Sequence, residues 1–234
     1  MAEEQQPGEI LRRAVAYPYE APLRSFVQVG TRTLDWPDER DPDLLGRPAI
    51  LAYGSNASPA VLIRKLAGLP EEPLPVAYGE LFGFDVVYSA HISPHGTVPA
   101  TLQRSPGTVV AVHVLYPTEA QLKAISATEP NYELDEVPEV ELYLERGEDP
   151  FRLFAYLSLH GCLRVDDREV ALAAVEATGR DFPAMGEVEV LEHVRHLLAP
   201  ELDLERFVES SLDPGMAAAR TTVLRGNAIP LRES

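Results

Sequence analysis

Apolar residues fall in short runs separated by turn formers, and the first convincing run is Ala49-Ile50-Leu51-Ala52-Tyr53. An uninterrupted apolar stretch of this length suits a strand buried on both faces. Gly54-Ser55-Asn56 breaks it with three turn formers. Ser58-Pro59 then starts a helix, with serine at the cap and proline at the first helical position. That helix is expected to turn Val61, Leu62 and Leu66 inward and Arg64 and Lys65 outward. The Gly54 loop therefore joins a strand end to a helix start.

Between residues 78 and 116 the pattern is β: YGELFGFDVVYSA, VPATLQ and TVVAVHVLY, with Ser105-Pro106-Gly107 read as a tight turn between the last two. Thr118 with Gln121 forms a capping box, which predicts a helix that buries Leu122 and Ile125. Pro130 disfavours the helical conformation at Glu129 and stops that helix. VPEVELYL and FRLFAYLSL read as further strands. Beyond residue 165 the pattern predicts helices over REVALAAVEATG (closed by Gly179), EVEVLEHVRHLL and LERFVESSL. The expected organisation is an N-terminal extension over 1–47, anchored by Trp36 and Tyr17 or Tyr19, a domain over 48–165, and a helical extension over 166–234 packed on it. Hairpin-compatible connections predict an α+β fold.

Charge narrows the partners. The 234 residues carry 37 acidic and 20 basic side chains, a formal net charge of −17. Such a surface repels phosphate backbones and anionic lipid, so neither nucleic acid nor membrane is an expected partner. A small anionic ligand would need a locally positive or amide-rich pocket. The single cysteine, Cys162, lies in an apolar run and is expected to be inert and buried. With one cysteine and no apolar run of about 18 residues, a cytoplasmic location is expected.

Little in the sequence suggests cofactor chemistry. The six histidines make no convincing metal site: His193 and His196 share a helical face, without the HExxH pattern. Neither GxxxxGK[ST] nor GxGxxG occurs, so no cofactor is expected. Two features remain. The glycine of the 54–56 loop lets backbone amides point at a ligand, although ordinary strand-to-helix turns share that composition. Glu129 falls at a predicted helix C-terminus, where the dipole disfavours a negative charge, which makes it a candidate for acid/base work. A solvated helix-end glutamate is the plain alternative.

Together these features resemble the γ-glutamylcyclotransferase superfamily. The resemblance runs over residues 48–158, on LAYGSNASPAVLIRKL, GTVPATLQRSPG and TVVAVHVLYPTEAQLKAISATEPNY. It implies a small mixed β-barrel-like core with flanking helices, and a cofactor-independent enzyme of lyase or acyltransferase type that releases 5-oxoproline from a small γ-glutamyl substrate. Tyr53, Gly54, Ser55 and Asn56 would line the glutamyl pocket, with Tyr132 or Tyr156 as further pocket tyrosines, and Glu129 would be catalytic. Three positions depart from the pattern: Pro130 replaces a common glycine, Ser126 a common aspartate, and His113 a strand glycine. Two other readings stay open: a related enzyme that deprotects another γ-glutamyl amine, and a non-catalytic binding module on the same scaffold.

Overall fold

The computed structural model describes residues 7–37, 44, 46–138, 140–147 and 150–231. Part of the acidic stretch in the N-terminal extension, 38–43 and 45, lies outside them, as do residues 1–6. In chain order come α1 (Pro7–Val15), β1 (Phe26–Val29), β2 (Arg32–Asp35) and β3 (Ala49–Ala52), then a single 3-10 turn (Ser55–Ala57) and α2 (Pro59–Lys65). Two long strands, β4 (Leu74–Tyr88) and β5 (Ala100–Leu115), precede α3 (Glu119–Ser126), β6 (Tyr132–Glu136), β7 (Glu141–Leu144) and β8 (Leu153–Ser158). Short strands follow: β9 (Arg164–Val165), β10 (Arg168–Glu169), β11 (Ala171–Leu172), β12 (Ala177–Thr178) and β13 (Ala184–Met185). Helices α4 (Glu187–Leu198), α5 (Leu204–Ser210) and α6 (Pro214–Gly226) complete the described chain.

The fold is α+β: an eleven-stranded, mostly antiparallel sheet with six α-helices among the described residues. Its spine runs β13-β11-β4-β5-β3-β8-β6. No closed barrel forms among those residues, which corrects the expected barrel-like core. The cause lies in β4. One edge pairs with β5, while the other is shared by β1 near Leu74–Val76, β7 over Gly79–Phe82 and β11 at Val87. A strand long enough to serve three partners on one side makes the sheet branch. The fully buried run Ala49–Ala52 sits centrally, antiparallel to β5 and parallel to β8.

Ser105-Pro106-Gly107 does not separate two strands. Pairing with β4 jumps from Val109 to Arg104 as β4 passes from Phe82 to Phe84, so residues 105–108 bulge out of one continuous strand. Gly107 takes a positive φ of 88° there, a conformation that suits glycine.

REVALAAVEATG is not a helix but contributes β10, β11 and β12. Val170, Ala171 and Leu172 are all fully buried, in succession, which one helical face cannot achieve. The backbone instead satisfies its neighbours: Tyr88 N donates to Val170 O (3.0 Å) and Ala111 N to Glu176 O (2.8 Å). Pairing to open strand edges overrides the helical propensity of an alanine-rich run. The N-terminal segment also does more than overlie a domain, since β1 pairs with β4 and α1 packs on α5. Trp36 and Tyr17 are buried, as expected of anchors, and Cys162 is buried and free of disulfide.

Candidate active site

The sheet order explains how distant residues meet. β8 has β3 on one side and β6 on the other. The chain leaving β3 carries Tyr53 and the 54–56 loop, the chain entering β6 carries Glu129 and Tyr132, and β8 carries Tyr156. All seven predicted residues, Tyr53, Gly54, Ser55, Asn56, Glu129, Tyr132 and Tyr156, line one cavity of about 300 Å³.

The loop turns tightly, with Ala57 N donating to Gly54 O (3.0 Å) and Ser58 N to Ser55 O (3.1 Å). Ser58 occupies the cap position of α2, and its carbonyl accepts from Val61 N and Leu62 N. Its hydroxyl makes no capping bond and is buried without a partner. Gly54 is required by a close approach: a Cβ there would lie 2.7 Å from the Tyr17 hydroxyl.

The capping box of α3 forms as the sequence predicts, with Gln121 N donating to Thr118 Oγ1 (3.3 Å) and Thr118 N to Gln121 Oε1 (2.9 Å). Ile125 is buried and Leu122 partly so. The helix ends at Ser126, and Glu129 stands in the turn before β6, its backbone N donating to Ser126 O (3.0 Å).

Glu129 points into the cavity, at the centre of a three-residue network. Lys65 Nζ donates to Glu129 Oε1 (2.5 Å) and to Asn56 Oδ1 (2.8 Å), and Asn56 Nδ2 donates to the same Oε1 (3.0 Å). The Lys65 and Glu129 side chains are each only 13% exposed. The outward orientation expected for Lys65 is therefore wrong. The signal was in the sequence: Lys65 lies one turn beyond Val61, on the inward face.

Tyrosines frame this network. Tyr53 donates through Oη to Tyr156 O, and Tyr156 Oη shares a 2.7 Å hydrogen bond with Ser126 Oγ. Tyr132 Oη donates to Ala100 O (2.8 Å), while Ala100 N donates to Tyr17 Oη (2.8 Å). Burial, before any neighbouring charge, pushes Tyr17, Tyr53 and Tyr132 upward from the usual phenol range, so all three remain neutral. Tyr17 belongs to the site through contacts far apart in sequence.

The departures from the family pattern have separate fates. Ser126 supports Tyr156 and Pro130 lines the cavity. His113 does not line it; its Nε2 makes a 2.8 Å bond with Pro22 O, holding the N-terminal segment. Two other histidines do line it. Burial, and next His160, hold His91 down to about 3, and His91 Nδ1 bonds Ser89 Oγ at 2.6 Å. His95 is held down to about 4, by burial first and then by Arg13, Arg64 and Lys65. Among the described residues, no cluster of three metal-ligating side chains occurs and no helix is long and apolar enough to cross a membrane.

No protein-family model matches the chain, and no curated protein matches it. One similar solved structure is described as a gamma-glutamyl cyclotransferase, with 20% identity and a TM-score of 0.34. The similarity covers 47% of this chain and 65% of that one, so the chain spans just under two thirds of that protein's length. At that identity and TM-score the likeness establishes neither activity nor substrate.

Proposed function

We propose that this chain is a cofactor-independent cyclotransferase that releases 5-oxoproline from a γ-glutamyl amide, with Glu129 as the acid/base. One observation carries the reading: Glu129 opens into the same cavity as the Gly54–Asn56 loop and is hydrogen-bonded to it through Asn56. Both donors reach Oε1. Oε2 carries no hydrogen bond among the described residues, and it is the oxygen free to exchange a proton with a ligand.

The chemistry uses these residue types. The substrate's α-amine attacks its own γ-carbonyl carbon, forming the lactam C–N bond of a five-membered ring. Glu129 takes a proton from that amine and delivers it to the departing nitrogen as the original amide C–N bond breaks, so protons balance over the cycle. Holding the glutamyl chain curled supplies much of the rate, because ring closure is then a positioning problem. Loop amides and neutral tyrosine hydroxyls are suitable donors for the oxyanion that develops on the γ-carbonyl.

A second reading, a non-catalytic binding module on this scaffold, draws on the ion pair itself, since Lys65 already engages the carboxylate. Incubation with a panel of γ-glutamyl amides, followed by mass spectrometry of 5-oxoproline, separates the two. Release from at least one compound supports the cyclotransferase. Binding without release from any compound supports the module.

A further inference from the structure

The cavity is strongly unbalanced in charge. Arg13, Arg64 and Lys65 line it, against Glu129 as the one acidic residue among its lining residues. In a chain of net charge −17, three cations around one carboxylate is a local reversal of sign. Lys65 is taken up by Glu129. Arg13 and Arg64 have no carboxylate partner among the described residues. Arg13 makes one long contact, Nη2 to His95 Nε2 at 3.4 Å, and the Arg64 guanidinium lies 5.9 Å from the Tyr19 ring centre.

A second observation, independent of charge, points to the same wall. Tyr19 also lines the cavity, and its hydroxyl, tucked behind that surface, is buried without a hydrogen-bond partner. Its backbone sits at φ 70°, in the left-handed region that a bulky residue rarely adopts. An orphaned buried donor costs stability unless a ligand satisfies it. The low position of His95 agrees, since the charges of all three cations reach it after burial has acted.

We infer that Arg13, Arg64 and the Tyr19 hydroxyl form a carboxylate subsite on the rim of this cavity, separate from the 54–56 loop. Guanidinium groups bind carboxylates with paired N–H donors, and a phenol hydroxyl adds a third direction. The subsite rests on the proposed function only in taking the cavity as a γ-glutamyl site. Two carboxylates could fill it: the α-carboxylate of the glutamyl head, or one carried by the departing amine.

The test measures dissociation constants by calorimetry for the parent and for Arg13→Gln/Arg64→Gln. The probes are γ-glutamyl-glycine, γ-glutamyl-methylamide (no carboxylate on the amine side), 4-aminobutyryl-glycine (no α-carboxylate) and 4-aminobutyryl-methylamide (neither). The double variant should bind γ-glutamyl-glycine about tenfold or more weakly, and it should not weaken binding of the carboxylate-free compound, which is a cation. If γ-glutamyl-methylamide escapes the effect, the amine-side carboxylate fills the subsite; if 4-aminobutyryl-glycine escapes it, the head does. Arg13→Lys/Arg64→Lys should recover most of the affinity. Should the double variant fold poorly, Arg13→Gln and Arg64→Gln are measured singly with the same probes, and each should weaken the carboxylate compounds relative to the carboxylate-free one. Unchanged affinity in the variant, equal sensitivity of the carboxylate-free compound, or no binding of any probe to the parent overturns the subsite. Formation of 5-oxoproline is scored separately. Release with arginine-independent binding removes the subsite and leaves the enzyme, while arginine-dependent binding without release does the reverse.

Discussion

The hydroxyl of Tyr17 stands 2.7 Å from the point where a Cβ on residue 54 would lie. Two residues from separate parts of the chain thus share one space, and that hydroxyl is fixed by Ala100 N. Gly54→Ala should force Tyr17 away, at about 1–3 kcal/mol of overpacking, and should weaken γ-glutamyl binding. Adding Tyr17→Phe removes the obstructing oxygen. The double variant should recover part of the loss, read as a non-additive term in a double-mutant cycle by urea unfolding. Additive effects would show that the two residues do not collide.

Glu129→Gln keeps the side-chain shape and the acceptor for Asn56 and Lys65, but cannot shuttle a proton. Turnover should fall by about 10²- to 10⁴-fold, with substrate affinity largely kept by the 54–56 loop. Glu133→Gln, on an exposed position of β6, is the control and should change little. A sensitive Glu133 with an insensitive Glu129 would move the acid/base away from the cavity.

Lys65→Met retains the aliphatic stem and removes the ammonium that neutralises Glu129. A mostly buried carboxylate left unpaired costs about 3 kcal/mol, measurable as a lowered urea midpoint at neutral pH. The Lys65→Met/Glu129→Gln double variant removes both charges and should be more stable than Lys65→Met alone. If Lys65→Met unfolds like the parent, the pair carries no stability.

His91 sets a pH dependence. Its ordinary value of 6.5 applies to the unfolded chain, and burial with His160 holds the folded value down to about 3. Between these values the unfolded chain binds the extra proton, so stability rises as pH rises through that window. The slope from this one group approaches about 1.4 kcal/mol per pH unit. His91→Asn should flatten the profile between about pH 4 and about pH 6 by that amount relative to the parent. An identical slope in the variant would assign the acid sensitivity to other groups.

The parts of this molecule that could be read from sequence are those specified by neighbouring residues. The buried strand Ala49–Ala52, the proline-started helix after Ser58 and the boxed helix after Thr118 each carry their own start and stop signals. Those three elements deliver the 54–56 loop and Glu129, so this part of the candidate site's lining was legible. Residues whose role depends on a remote partner were not. Lys65 turns inward because Glu129 awaits it, Tyr17 reaches Ala100 from the N-terminal segment, and Val170–Leu172 extends because β4 offers an open edge. Ser105-Pro106-Gly107 had turn composition, but the surrounding ladder absorbed it as a bulge.

The placement of the N-terminal segment has a consequence for synthesis. Residues 7–29 leave the ribosome before their remote partners: α1 rests on α5, β1 pairs with β4 as well as with β2, and Tyr17 waits for Ala100. Beyond the hairpin of β1 with β2, this segment waits for its packing partners, and the final docking of α1 follows the emergence of α5. A nascent chain stalled before residue 204 would carry the 54–56 loop and Glu129 but lack the surface that seats the helix bearing Arg13.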